Sequence, residues 1–216
     1  MESSCYEQVY VALASAASGS FSEEQCQALK DLHMLIDNYA TSPYRGVLVG
    51  CLIQIIVTIQ QPDNTNCRLM GVLFLKNLIS KHWRSNRYQD SVQVAAINDD
   101  EKLLLKRFLC GYFDEAASKV ASQIAILAAN VSLYDCPSSS CLWSHWTSTE
   151  LIPAIVTCLS ANIVPSDQFH TFPIRGLPWK RGLHTLQEVM TLVLAKAPPP
   201  TAGLSSVICL SLYITV

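Results

Sequence analysis

Hydrophobic positions recur with a helical period along most of this chain. Val9, Leu13 and Ala16 share one side of a small-residue segment, Ser4 to Ser18. Cys26, Leu29, Leu32, His33 and Ile36 follow at steps of three and four, which lines one face of a helix. Just before them, Ser22-Glu23-Glu24-Gln25 has the form of a capping box, in which side-chain oxygens satisfy the orphan amides of a helix start. His33 on that stripe is expected to be a packed histidine. Thr41-Ser42-Pro43 breaks the pattern, and Pro43 suits the first turn of the next helix. That helix, from about Tyr44 to Gln60, is apolar almost all round, so it wants neighbours on both sides.

Pro62-Asp63-Asn64 ends it, and a helix from about Thr65 to Arg84 follows. Leu69, Val72, Leu73, Ile79 and Trp83 form its stripe, widened by Phe74 and Leu75. Arg68, Lys76, Asn77, Lys81 and Arg84 fall mostly off it. After a polar loop, Asp99-Asp100-Glu101 places acidic groups at a helix start, where the macrodipole favours them. Leu104, Leu105, Phe108, Leu109 and Tyr112 continue that helix. Glu115 to Tyr134 is the clearest amphipathic segment, with Val120, Ile124, Leu127, Val131 and Tyr134 on one face and many alanines for close approach. A loop leads to a helix from Thr149 to Leu159, with Pro153 in its first turn, where proline costs least. Trp179 to Lys196 reads as a last helix.

Helices beginning near Ser22, Thr65 and Glu115 recur about every 45 to 50 residues, close to the roughly 40 to 47 residues of HEAT-type helix pairs. A single pair cannot bury its faces alone, so several must stack into a continuous core. The predicted fold is all-α: three to four HEAT-type pairs in a right-handed solenoid. In that frame the Cys67–Arg84 segment is expected to be the first helix of the second pair.

Composition narrows the function. Half the residues are hydrophobic and 15% are charged, which excludes extensive disorder. The net charge of −2 offers no footprint for a polyanion, so nucleic acid is not an expected partner. The most apolar run, Gly46 to Ile59, is shorter than the roughly 20 residues that span a bilayer, so no membrane is expected either. The nine cysteines are an odd, scattered set behind an N-terminus without a basic start and apolar core. They read as reduced packing residues of an intracellular protein. No nucleophile context, phosphate-cradling Gly-rich loop or His-Glu-x-x-His motif occurs. No catalytic residue, cofactor or metal is therefore expected, and the chain is not read as an enzyme. Cys136, Cys141 and His145, with His170 as a fourth ligand, form the one zinc arrangement worth weighing. An inserted loop is the preferred reading of that segment.

The order of three segments resembles the N-terminal region of the importin-β (karyopherin-β) family. Arg68-Leu69-Met70-Gly71-Val72-Leu73-Phe74-Leu75-Lys76-Asn77-Leu78-Ile79, closed by Trp83, is similar to the family's second-repeat helix. Gln123 to Ala128, running to Asp135-Cys136-Pro137, resembles its third-repeat helix and Asp-x-Pro exit. Trp146 with Glu150-Leu151-Ile152-Pro153 resembles the entry to the partner helix. Trp83, Asp135, Pro137, Trp146, Glu150 and Pro153 are thus expected to be structural motif residues. The resemblance implies a nuclear transport receptor that shuttles between nucleus and cytoplasm and passes the nuclear envelope at its pores. It implies Ran in its GTP state as partner of the N-terminal repeats, with cargo and nucleoporins on later ones. It makes Lys76 and Asn77 candidate contacts to Ran through the Leu-Lys-Asn match, and Lys81 through its position.

The resemblance covers roughly residues 5 to 160 and, more weakly, 180 to 197. The expected organisation is importin-type repeats over 1–160, an irregular loop or insertion over 161–178, a further repeat helix over 179–197 and a divergent, disordered tail over 198–216. Ser138 to His145 looks inserted, and the tail from Pro198 does not continue a repeat. The family's receptors are several times longer, so a truncated chain is expected: a fragment, splice form or gene-prediction artefact. A non-productive isoform and a general HEAT-repeat scaffold are the alternatives.

Overall fold

The computed structural model describes residues 2–18, 22–58, 64–84, 97–136, 144–161 and 177–196. Eight α-helices and no strand occur among them: α1 (Glu2–Ala17), α2 (Glu23–Asp37), α3 (Leu48–Thr58), α4 (Thr65–His82), α5 (Asp99–Gly111), α6 (Ser118–Tyr134), α7 (Ile152–Ala161) and α8 (Leu177–Lys196). The expected 198–216 tail and most of the 161–178 segment lie outside the described residues.

The helices form two layers. α1, α3, α5 and α7 pack in sequence in one layer, and α2, α4, α6 and α8 in the other. Across the layers α1 meets α2, α3 meets α4 and α7 meets α8. This is an all-α, HEAT-like stack. One expectation is corrected: α4 pairs with α3, the helix before it, and is the second helix of its pair. The reason lies in the faces. α3 buries Leu48, Val49, Cys51, Leu52, Ile53, Ile55 and Ile56, so it needs cover from both layers. α4 supplies it at Gly71, where an added Cβ would stand only 3.3 Å from Ile56 Cγ1.

The apolar stripes pack much as their spacing predicts, with informative exceptions. Cys5, Val9 and Leu13 of α1, and Leu32 and Ile36 of α2, are fully or nearly buried. Each such side chain contributes about 1.5–3 kcal/mol by leaving water. His33 and Cys26, placed on the α2 stripe by their spacing, are exposed, because that stripe narrows to the side facing α1 and α4. The His33 ring rests 5.0 Å from that of Phe74. α3 begins at Leu48, later than the predicted Tyr44, and Pro43 lies in the turn ahead of it. Gly46 explains both. Its φ of +87° is left-handed backbone that a continuing helix cannot contain.

A buried polar cluster joins the first pair to the third. Tyr39 is wholly buried; its hydroxyl donates to the Glu101 carboxylate and accepts from the Gly46 amide at 3.3 Å. Glu101 also accepts from the Val49 amide at 3.2 Å. Burial first, and then the bond to Glu101, push the Tyr39 hydroxyl well above the usual tyrosine range. Acidic residues were expected at the start of α5, and Glu101 has this second role there.

Candidate partner-binding face

α4 and α6 lie side by side in the second layer and present one polar face. Lys76, half-buried, donates from Nζ to Gln123 Oε1 on α6 at 2.8 Å. Asn77 is half-buried beside it, and its carbonyl accepts the Ser80 hydroxyl at 2.9 Å. Lys81 reaches the other way, to Asp37 at the end of α2, at 2.5 Å. That pair is roughly half exposed, at 44% and 55%, so it contributes little stability. The hydrogen bond from Lys81 holds the Asp37 carboxyl below its usual range. The three residues therefore share one helix without converging on a common point: Lys76 faces α6, Lys81 faces α2 and Asn77 lies between. A shallow groove of about 350 Å³ opens between α4 and α6 beside them, lined by Leu69, Ser118, Lys119, Ser122 and Gln123.

Arginine crosslinks fix the spacing of this face, and the sequence reading missed their role. Arg84 donates to the carbonyls of Tyr134, Leu133 and Cys136 at 2.7, 3.0 and 2.9 Å. It thereby gathers carbonyls at and just past the end of α6, where a cation also suits the helix dipole. Arg68, expected off the stripe, is buried at 4%. Its guanidinium grips the Glu115 carboxylate and donates from Nε to the Ile56 carbonyl at 2.8 Å. Glu115 in turn accepts from the Ala117 amide at 2.7 Å. From α8, Arg181 donates to the backbone carbonyls of Glu115 and Ala116 at 3.0 and 3.3 Å. Burial alone would raise the Glu115 carboxyl, but hydrogen bonds from Tyr112, Arg68 and Ala117 hold it below its usual range. Glu115 thus ties α4, α6 and α8 together at one end of the face. It was expected as the first residue of an amphipathic helix, yet α6 begins at Ser118.

Three of the motif residues meet at the other end. Trp83 and Trp146 are buried, at 4% and 3%, and flank the ammonium of Lys106 at 5.9 and 5.8 Å from their ring centres. Asp135 pairs with the same ammonium through both oxygens at 2.9 Å. Lys106 of α5 is the residue that the sequence reading passed over. No periodicity marks a lysine as the centre of two aromatic faces. Glu150 is exposed, and Pro153 is the second residue of α7. A π-helical turn, Thr147–Leu151, precedes α7, with the Ile152 amide bonded to the Thr147 carbonyl. Pro153 has no N–H to offer Thr149, and the backbone takes the wider register instead. Pro137, Cys141 and His170 lie outside the described residues.

Among the described residues, no group of three or more His, Cys, Asp or Glu is placed to hold a metal. No described helix is long and apolar enough to cross a membrane. Among the described residues the seven cysteines form no disulfide, and four of them are buried.

Residues 47–115, from just before α3 through α5 to Glu115, match the importin-β N-terminal domain family. The chain is 35% identical over 91 residues to importin-11 of Mus musculus and 34% identical over 91 residues to importin-11 of Homo sapiens. Each alignment spans 42% of this chain and 8% of the importin-11 chain. No solved structure matches it significantly.

Proposed function

We propose that the chain, whose residues 47–115 match the importin-β N-terminal domain family, is a nuclear transport receptor of that family, binds Ran in its GTP state through the α4–α6 face and serves protein import into the nucleus. Lys76, Asn77 and Lys81 are the proposed polar contacts. The observation that carries the reading is the match itself, which covers all three residues. Their placement supports it. Lys76 and Asn77 are half-buried and Lys81 is exposed along α4, so the two ammonium groups can exchange Gln123 and Asp37 for groups of a protein ligand. The Lys81–Asp37 pair is exposed enough to open at small cost. Shuttling between nucleus and cytoplasm, contact with the nuclear pore, cargo and nucleoporins follow from the same reading as properties of a full receptor. The domain organisation proposed with it is the repeat block 1–160 followed by the helix of 179–197.

The test is direct binding of the purified chain to Ran loaded with a non-hydrolysable GTP analogue or with GDP. Selective binding to the GTP form is expected, with a loss of about tenfold or more on reversing Lys76 and Lys81 to Glu together. Binding that ignores the nucleotide would overturn the function. Binding that keeps nucleotide selectivity but ignores the two reversals would overturn only the site.

A further inference from the structure

The first helix pair carries a surface that the α4–α6 face does not use. A groove of about 460 Å³ runs between α1 and α2. Val9 and Leu32 form its floor, Val11, Ala12 and Leu35 its apolar walls, and Glu7 and Asp31 are among its lining residues. Val11 is 61% exposed, the most exposed large hydrophobic side chain among the described residues. No other described helix lines the groove. Its size and apolar lining suit the ridge of an amphipathic helix laid between two others.

Charge selects the occupant. Residues 2–38 hold six carboxylates, Glu2, Glu7, Glu23, Glu24, Asp31 and Asp37, against one lysine, Lys30. The whole chain carries only −2, so the remainder is net positive and the acidity is concentrated at this pair. Asp37 is neutralised by Lys81. Among the described residues Asp31 meets only the neutral amide of Gln27, at 2.7 Å, and Glu7 is in no ion pair. A second copy docking edge to edge would set these carboxylates against their own kind. An anionic membrane or a nucleic acid meets the same repulsion. We propose that the α1–α2 groove docks an amphipathic helix of a partner protein, apolar residues on its inner ridge and Lys or Arg on its flanks facing Glu7 and Asp31. This inference stands apart from Ran binding.

The test uses the full chain and two labelled helical peptides, read by fluorescence anisotropy at low ionic strength. One peptide carries Leu at i, i+3, i+4 and i+7 spacing with Lys on its flanks; the other has Glu in place of Lys. The Leu/Lys peptide should bind, the Leu/Glu peptide should not, and added salt should weaken the complex. Val11→Glu, and separately the double variant Glu7→Lys/Asp31→Lys, should each weaken binding about tenfold or more. The double variant changes two exposed side chains, so it keeps the test valid if Val11→Glu alters the fold, as circular dichroism would show. Equal binding of the two peptides, no binding, or binding that ignores the double variant would overturn the proposal. Self-association of the chain that Val11→Glu abolishes would also overturn it, because a second copy would then own the groove.

Discussion

Arg68 shows at the scale of one residue how the chain holds charge in its interior. Arg68 and Glu115 expose only 4% and 2% of their side chains, where an ion pair survives only if its remaining donors and acceptors are satisfied. The Ile56 carbonyl and the Ala117 amide satisfy them. Arg68→Met removes the cation and leaves a buried carboxylate. It should cost about 3–5 kcal/mol in urea unfolding, whereas Arg68→Met with Glu115→Leu should recover most of that loss. The cysteines divide just as sharply. Burial, and then the neighbouring Cys51 thiol, push Cys5 up to about 12, and burial also raises Cys67. Only the thiolate reacts with alkylating reagents, and Cys26 is exposed. Under native conditions iodoacetamide should therefore label Cys26 well before Cys5 or Cys67, as peptide mass spectrometry would resolve.

At the scale of the element, the helix starts at α3 and α5 depend on each other. Asn98 caps α5 by accepting from the Glu101 amide at 2.8 Å. A Cβ at Gly46 would stand 3.0 Å from Nδ2 of the same Asn98. Gly46→Ala must therefore hold a left-handed conformation and also press on the cap. The loss should be about 1–2 kcal/mol, against about 1 kcal/mol for Asn98→Ala alone, and thermal melts of the two variants would separate them. The sequence placed acidic residues correctly at the α5 start but put the α3 start at Tyr44. Nothing in the apolar run from Val47 onward discloses that Gly46 carries a positive φ. There its amide donates to the Tyr39 hydroxyl, and the space beside its α-carbon is closed by Asn98 of a distant segment.

For the whole molecule, the Glu115 carboxylate, which ties Arg68 of α4 to the start of α6, makes acid sensitivity a property of the stack. Its carboxyl is depressed in the folded chain, so the stability it contributes is present above the unfolded carboxylate value of about 4.3. That contribution is lost as pH falls through the lower, folded value. The melting temperature should thus drop steeply below about pH 4, and Arg68→Met should flatten that acid limb by removing the partner that the charged form needs. By itself the sequence determined the helical class, most of the apolar faces, the repeat spacing and the family resemblance, since all of these are written in local periodicity and in short ordered motifs. Only the tertiary structure decided that α4 is the second helix of its pair, that Arg68 lies inside, and that Trp83, Asp135 and Trp146 gather round Lys106. It also decided that Lys76 and Lys81 turn to different neighbours and that an acidic groove opens between α1 and α2. Each of these depends on which face of one helix meets another far away in the chain. A period of 3.6 residues shows that a face exists but not what it faces.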